Sequence, residues 1–249
     1  MREDLAVKRY KIADIVFDAD VKSKYVESLC ENYAYSGDTP PAFKADVTKS
    51  DIDFEREKDD INSQNYPDCY YESLALFRKL CNYALKNADG FVFHSSAVEV
   101  DGMAYLFTAP SGTGKSTHAR LWREMLGDKA VMVNDDKPMI RLLGEKFFVY
   151  GTPWMGKHAL GAPIKSEIKA ICIIEQAKGN SIKRISPHEM LFTALNQTIR
   201  PDSAEDMDKL LSLLEKLLSS VGLFKLCCNI SREAAELSYK TMSGEENEN

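Results

Sequence analysis

Apolar and polar residues recur along the chain with two periods, one typical of strands and one typical of helices. Alternating or continuous apolar runs predict strands, and apolar residues three or four positions apart predict helices. The predicted strands cover residues 10–18, 42–47, 91–100, 103–108, 130–133, 139–143, 146–150, 168–175 and 223–230. The predicted helices cover residues 21–33, 74–85, 187–199 and 203–221, with two more that end at Leu126 and begin at Ser231. This interleaving predicts an α/β (α+β) fold.

Two hairpins are predicted in the middle of the chain. Strands 91–100 and 103–108 are joined by Asp101-Gly102, a dipeptide that favours a tight hairpin turn. Strands 139–143 and 146–150 turn at Gly144-Glu145. Since ordinary doubly wound folds place their strands in a parallel sheet, these hairpins predict a mixed sheet instead.

The composition changes near the end of the first third of the chain. Residues 36–68 are rich in Pro, Asp, Asn, Ser and Lys, which predicts loop with one weak strand. We therefore expect a small N-terminal α+β appendage over residues 1–87 and a core over residues 88–243. The acidic sequence GEENEN predicts a disordered tail at residues 244–249.

Length and charge narrow the class of protein. A chain of 249 residues is long enough for one large domain, or one domain with an appendage. Its net charge of -6 argues against a nucleic-acid binder, which needs a basic excess. No apolar run approaches the roughly 18 residues that cross a bilayer, and the N-terminus lacks the apolar stretch of a secretory signal. We expect a cytoplasmic globular protein without a membrane partner.

The cysteines and histidines show no pattern of a structural metal site. None of the six cysteines forms a CxxC pair, and the four histidines fall at no metal-ligand spacing. Cys172 and Cys228 lie in apolar strand-like runs, where we expect reduced, buried thiols.

A glycine-rich loop is predicted between the strand that ends at Thr108 and the following helix. Its residues are Ser111, Gly112, Thr113, Gly114, Lys115, Ser116 and Thr117. Glycines let backbone N–H groups face an anion, and the helix N-terminus attracts negative charge. Lys115 is expected to reach the β- and γ-phosphates of ATP, and Ser116 to hold Mg²⁺. Ala109 stands where the general pattern has glycine, so either the loop opens with an ordinary φ or it binds phosphate less well.

Two adjacent acids follow the next apolar strand. Asp135 and Asp136 end this strand, at a place where nucleotide enzymes hold their metal ion. One carboxylate can bind Mg²⁺ while the other takes a proton from an attacking hydroxyl. The sequence leaves the assignment open, and position favours Asp135 as the base and Asp136, with Ser116, as the metal ligand.

Further polar and aromatic residues are candidates for substrate contact. Trp154 and Lys157 lie in the Gly- and Pro-rich sequence GTPWMGK. Two interpretations of Trp154 are open: its ring stacks on a substrate, or it is a core residue. Lys157 is expected to meet a phosphate or carboxylate. Arg120 lies on the helix after the loop, where its side chain either faces solvent or pairs with a phosphate. His94 lies on the strand predicted over residues 91–100, and periodicity alone does not make it a site residue.

The sequence HSSAVEVDGMAYLFTAPSGTGKSTHARLW, followed by VNDDKP and GTPWMGK, resembles the HPr kinase/phosphorylase family and its smaller, phosphoenolpyruvate carboxykinase-like relatives. His94, Glu99, Gly102 and the loop 111–116 occur in the family's order. The resemblance covers about residues 90–200. It implies a mixed-sheet P-loop core, catalytic roles for His94, Lys115, Asp135 and Asp136, and the cofactors ATP and Mg²⁺. The family's acidic residue after the loop serine is Thr117 here, and no phosphorylase signature follows.

The leading hypothesis is therefore an ATP-dependent kinase that transfers the γ-phosphate to a hydroxyl. The acceptor is a serine of a protein or peptide, or a small molecule, and a homo-oligomer is left open. The alternative is a regulatory module that binds ATP without chemistry. A phosphoenolpyruvate carboxykinase fits less well, because those chains are considerably longer and need further arginines and metal ligands.

Overall fold

A computed structural model describes residues 7–59 and 66–244. The chain divides into two compact units, Met1–Ala88 and Asp89–Asn249. The acidic tail predicted at residues 244–249 lies outside the described residues except for Gly244, which ends the last helix with φ 84°.

The first unit contains a small sheet and helices. Over its described residues the strands are β1 (Lys8–Ile12), β2 (Ile15–Asp20) and β3 (Phe43–Asp46), and the helices are α1 (Lys24–Leu29), α2 (Lys49–Asp59) and α3 (Asp68–Asn87). β1 pairs antiparallel with β2, and β2 pairs parallel with β3. The weak strand predicted at 42–47 and the helix predicted at 74–85 are confirmed, although α3 is longer than its apolar stripe.

Two predictions for this unit are wrong in instructive ways. The single strand predicted over residues 10–18 is a hairpin, because Ala13 and Asp14 both take positive φ (51° and 60°) and turn the chain. The predicted loop contains α2, whose polar sequence shows no apolar stripe. Ion pairs support this helix instead: Lys49 meets Asp53 at 2.9 Å.

The helix predicted over residues 21–33 is also shorter than expected. α1 ends at Leu29, and a separate 3-10 turn covers Glu31–Tyr33. The spacing of apolar residues alone does not show where an α-helix ends and a 3-10 turn begins.

The second unit contains a mixed sheet covered by helices. In its described residues the strands are β4 (Gly90–Val92), β5 (Ser96–Val100), β6 (Met103–Thr108), β7 (Ala130–Asn134), β8 (Met139–Leu143), β9 (Lys146–Tyr150), β10 (Lys165–Gln176), β11 (Ser181–Arg184) and β12 (Gly222–Cys228). The helices are α4 (Lys115–Leu126), α5 (Pro187–Asn196), α6 (Ala204–Ser220) and α7 (Arg232–Ser243).

The strand order is β4-β8-β9-β10-β6-β5-β7, with β12 on β10 and β11 on β12. Two strands share one edge of the long strand β10. β9 pairs antiparallel with residues 165–167, and β12 pairs parallel with residues 170–176. β6, which leads into the glycine-rich loop, lies between β5 and β10. Its pairing with β5 is antiparallel and its pairing with β10 is parallel. The predicted mixed sheet is confirmed.

Both predicted hairpins are confirmed. β5 and β6 turn at Asp101 and Gly102, each with positive φ (51° and 79°), and β8 pairs antiparallel with β9. However, the strand predicted over residues 91–100 is two strands, because the chain leaves β4 and pairs elsewhere from β5 onward. The short, polar strand β11 was not predicted.

A hydrophobic core lies between α4, α7 and the sheet. Phe107 of β6 and Trp122 of α4 are fully buried and meet edge-on at 5.0 Å. Cys172 and Cys228 are buried free thiols, as expected, and burial raises the pKa of each. Packing of α4 on β6 sets the direction in which the glycine-rich loop leaves the sheet.

Candidate functional site

The loop between β6 and α4 is shaped by two glycines. Gly112 and Gly114 have φ of 78° and 116°, and a Cβ at either position meets nothing within 4 Å. The requirement for glycine is therefore one of backbone conformation and not of space. Ala109 is fully buried and does not take positive φ, so the loop opens with an ordinary backbone conformation.

Lys115 is the first residue of α4 and is 7% exposed. Its ammonium group donates to the carbonyl oxygens of Ala109 at 2.8 Å and of Pro110 at 3.4 Å. Burial lowers the pKa of Lys115, while the negative charge of Asp136 acts to raise it. The buried cation thus lies beside the backbone N–H groups of a helix N-terminus, an arrangement that can bind an anion.

Asn134 sets the positions of the two acids that follow β7. Its side-chain oxygen accepts from the backbone N–H groups of Asp136 (2.8 Å) and Lys137 (2.7 Å), which makes a local turn. Its amide nitrogen donates to the carbonyl of Thr152 at 3.0 Å. The acids and the segment that follows β9 are therefore held together by one buried side chain.

The side chain of Asp135 is buried (3% exposed) and faces a backbone donor. The N–H of Gly156 donates to its Oδ1 at 2.6 Å, and the structure gives its carboxylate no cationic partner within the described residues. Its backbone carbonyl accepts from the hydroxyls of Ser96 (3.1 Å) and Ser116 (3.5 Å), so the acid is tied to the start of α4.

Asp136 has a different electrostatic environment. His94 Nε2 lies 2.9 Å from its Oδ1, and the Lys137 ammonium contacts its Oδ2 at 2.5 Å. Burial alone would raise the pKa of Asp136, but the hydrogen bond from His94 and the charge of Lys137 hold that pKa well below its usual range. Asp136 is therefore a permanently ionised carboxylate near neutral pH.

A cavity of about 850 Å³ brings most of the predicted site residues together. The predicted residues that line it are His94, Ser111, Gly112, Gly114, Lys115, Ser116, Thr117, Arg120, Asp135, Asp136 and Lys157. Thr113 lines two neighbouring cavities instead. Arg120 pairs with Glu124 on the exposed surface of α4, at 2.5 Å. The assembled groups are those needed to hold a phosphate chain and to act on a hydroxyl beside it.

Trp154 takes the core position, one of the two alternatives that the sequence left open. The stacking role considered for its ring is not supported, because Trp154 is 5% exposed and does not line this cavity. It packs as a core residue, and its backbone carbonyl accepts from the Asn134 amide at 3.4 Å. Glycine and proline neighbours made an exposed loop ring plausible, but the turn folds inward.

Several residues of this site were missed from the sequence. Ser96 and Asn134 lacked a signal of their own, since small polar residues near strand ends are common. Gly156 and the cavity-lining His158 were overlooked, although the motif GTPWMGK contains a glycine that a close backbone approach explains. A Cβ on Gly156 would lie 3.1 Å from Asp135 Oδ2.

The described residues contain no group of three or more His, Cys, Asp or Glu side chains that could hold a metal ion. The part of the chain that the structure describes also has no helix long and apolar enough to cross a bilayer. A divalent cation here would take only one or two protein ligands and complete its shell from elsewhere, which is how Mg²⁺ is usually held.

A scan against protein-family models finds no match. A search of curated proteins finds none either. Among solved structures, the Hpr(Ser) kinase/phosphatase from Coxiella burnetii is similar to this chain, with 13% sequence identity and a TM-score of 0.35. The match covers 63% of this chain and 99% of that chain.

Proposed function

We propose that this chain is an ATP- and Mg²⁺-dependent kinase that transfers the γ-phosphate to a hydroxyl group, with a core of the HPr kinase type. The acceptor is a serine of a protein or peptide, or a small molecule. The motif order from His94 to Asp136 supports the proposal, as does the antiparallel neighbour of the loop-bearing strand.

One observation carries the proposal: Lys115 and Ser116 line the same cavity as Asp135 and Asp136. A phosphate chain needs the first pair, and transfer to a hydroxyl needs a carboxylate near the second. A Gly-rich turn that only capped a helix would not require two buried or half-buried acids beside it.

The donor set fits Mg²⁺. The Ser116 hydroxyl and the Asp136 carboxylate are oxygen ligands of the kind that Mg²⁺ prefers, and nucleotide phosphates commonly supply the rest. Bound Mg²⁺ would neutralise charge on the phosphates. His94 and Lys137 keep Asp136 ionised and oriented for this task.

The proposed roles of the acids follow from their surroundings. A strongly acidic carboxylate is a poor proton acceptor, so Asp136 suits metal binding better than base catalysis. Asp135 accepts the acceptor hydroxyl's proton as the new oxygen–phosphorus bond forms. The bond between the γ-phosphorus and the bridging oxygen breaks, and ADP leaves with that electron pair. Lys115 binds the phosphates, and Arg120 and Lys157 contact substrate.

The test combines nucleotide binding with transfer. Calorimetry should show that Lys115→Ala loses about 1.5–3 kcal/mol of Mg-ATP binding free energy, because a charged hydrogen bond is removed. Lys129→Ala, which changes an exposed lysine in the 3-10 turn that follows α4, is the control and should bind as wild type. Incubation with labelled ATP and lysate fractions then reports transfer. Binding that survives in the folded Lys115→Ala protein contradicts the phosphate site; binding without transfer to any fraction favours the regulatory module.

A further inference from the structure

A smaller cavity of about 380 Å³ adjoins the same glycine-rich loop. It shares Gly112, Gly114 and Thr117 with the large cavity, whereas Asp135 and Asp136 line the large cavity only. Gly114 and Thr117 belong to the end of the loop and the first turn of α4. A ligand that lies across this turn can therefore reach both spaces.

The lining of the smaller cavity is uncharged. No Lys, Arg, Asp or Glu is among the described residues that line it. Its histidine, His118, is buried, and burial lowers the pKa of that side chain to about 4, so it is neutral near pH 7. Leu121, Ile174 and Ile230 supply apolar surface. Outside the loop residues that it shares with the large cavity, this wall suits an uncharged, flat group better than a phosphate.

Ile230 is the most unusual residue of this wall, because it is a large apolar side chain that is 75% exposed. It lies in the turn between β12 and α7, next to Ser231, which caps α7. Packing within the described residues does not account for its position. An exposed isoleucine beside a neutral cavity provides a surface against which a ring can lie.

Side-chain amides hold this turn in place. The Asn229 N–H donates to Asn180 Oδ1 at 3.0 Å, and Asn229 Nδ2 donates to the Lys178 carbonyl at 3.1 Å. Asn180 Nδ2 in turn donates to Ser231 Oγ at 3.2 Å. The turn that follows β10 and the turn that follows β12 are thereby joined, so the wall is pre-organised before a ligand arrives.

We propose that this smaller cavity binds the nucleoside of the nucleotide, with the base packed against Ile230. The inference rests on the proposed function. The transferred phosphate must lie near Lys115 and the acids, so the rest of the nucleotide extends away from Asp135 and Asp136. The shared residues Gly114 and Thr117 give it a path into the neutral cavity, whose volume is within the range of small-ligand sites.

The test compares Mg-ATP with Mg²⁺-bound inorganic triphosphate, which carries the phosphates but no nucleoside. Ile230→Ala should weaken ATP binding about 10-fold, the loss expected for one apolar contact. The same variant should leave triphosphate affinity within about twofold of wild type. Dissociation constants come from calorimetry, and circular dichroism checks that the variant is folded.

Phe192→Ala is the matched control. Phe192 is equally exposed (77%) and lines another cavity of about 690 Å³ that adjoins Pro110–Thr113 of the same loop. Its removal should leave both affinities unchanged. If Phe192→Ala weakens ATP binding and Ile230→Ala does not, the nucleoside lies in that other cavity and the inference is overturned. An Ile230→Ala protein that loses triphosphate and ATP equally, or neither, overturns it as well.

Failure of the proposed function has a different signature. Wild-type protein that binds neither ATP nor triphosphate would remove the phosphate site and this inference together. Wild-type protein that binds both probes with the same affinity would leave the phosphate site in place and show that no nucleoside contact exists.

Discussion

The backbone N–H of Gly156 donates to Asp135 Oδ1 at 2.6 Å, and a Cβ on that glycine would lie 3.1 Å from Asp135 Oδ2. The segment after β9 therefore approaches the carboxylate so closely that a side chain would press against it. This contact positions the acid that we propose as the base.

Gly156→Ala should lower the transfer rate about 10-fold, because the added methyl group moves Asp135 by a few tenths of an ångström. Affinity for Mg-ATP should stay within about twofold, since Lys115 is untouched. Turnover with labelled ATP and calorimetry measure the two quantities. Gly179→Ala, where a Cβ meets nothing within 4 Å, is the control and should behave as wild type. Equal turnover in the two variants contradicts the positioning role.

Asp135→Asn and Asp136→Asn should act unequally. Removing the proposed base should leave nucleotide binding intact and reduce transfer by about 10²–10⁴-fold. Asp136→Asn should mainly weaken the Mg²⁺-dependent part of ATP binding, because it removes the carboxylate charge that we propose binds the cation. ATP titrations with and without Mg²⁺, together with transfer assays, separate the effects. The reverse outcome exchanges the two roles, and equal effects in both assays would show that neither assignment holds.

His118 should make the protein less stable in mild acid. The unfolded histidine binds a proton with a pKa near 6.5, whereas burial lowers the folded pKa to about 4. Between these values the unfolded state holds more protons, so the free energy of unfolding falls as the pH falls. From pH 7 to pH 5 this loss is about 2 kcal/mol. Urea unfolding of wild type and His118→Gln at both pH values tests this: the variant should lose less, and an identical loss would exclude His118 as the cause.

Ser238 should contribute strongly to the stability of the core between α4 and α7. Its hydroxyl lies 2.8 Å from both His118 Nε2 and Trp122 Nε1, and it donates to the Ala235 carbonyl. Ser238→Ala leaves the buried Trp122 N–H without its acceptor, which costs about 1–3 kcal/mol of unfolding free energy. Ser243→Ala, at the end of the same helix, should cost less than about 0.5 kcal/mol. Denaturant unfolding compares them, and similar losses would mean that the buried hydrogen bonds contribute little.

Local patterns were enough to predict most of the second unit. The turn residues Asp101-Gly102 have the positive φ that the dipeptide favours, and Gly127 ends α4 where expected. These features depend on neighbours in sequence, so the sequence contains the information. β11 was not predicted because its single apolar residue, Ile182, stands among exposed polar residues and sets no period. Its strand character comes from pairing with β12.

The candidate site was predicted less completely, because its geometry depends on contacts between distant segments. The loop and the acids were recognisable as motifs, but the bond between Gly156 and Asp135 joins positions that only the fold brings together. For Trp154 the sequence left a stacking ring and a core residue open, and only the burial of its side chain favours the core. In the first unit, α2 depends on charge pairs that hydrophobic periodicity does not detect.

The strand order has a consequence for how the site comes into existence. β4 and β5 are separated by only three residues, 93–95, yet β4 ends one side of the sheet and β5 lies next to the strand that ends the other. Three residues allow the Cα atoms of Val92 and Ser96 to be at most about 14 Å apart, so the sheet must curl until its two margins nearly meet. The connection from β7 to β8 crosses the same seam and carries Asp135 and Asp136, and His94 lies in the first crossing. The 2.9 Å contact between His94 and Asp136 therefore forms only when the two margins of the sheet come together. Neither half of the sheet can form the site alone.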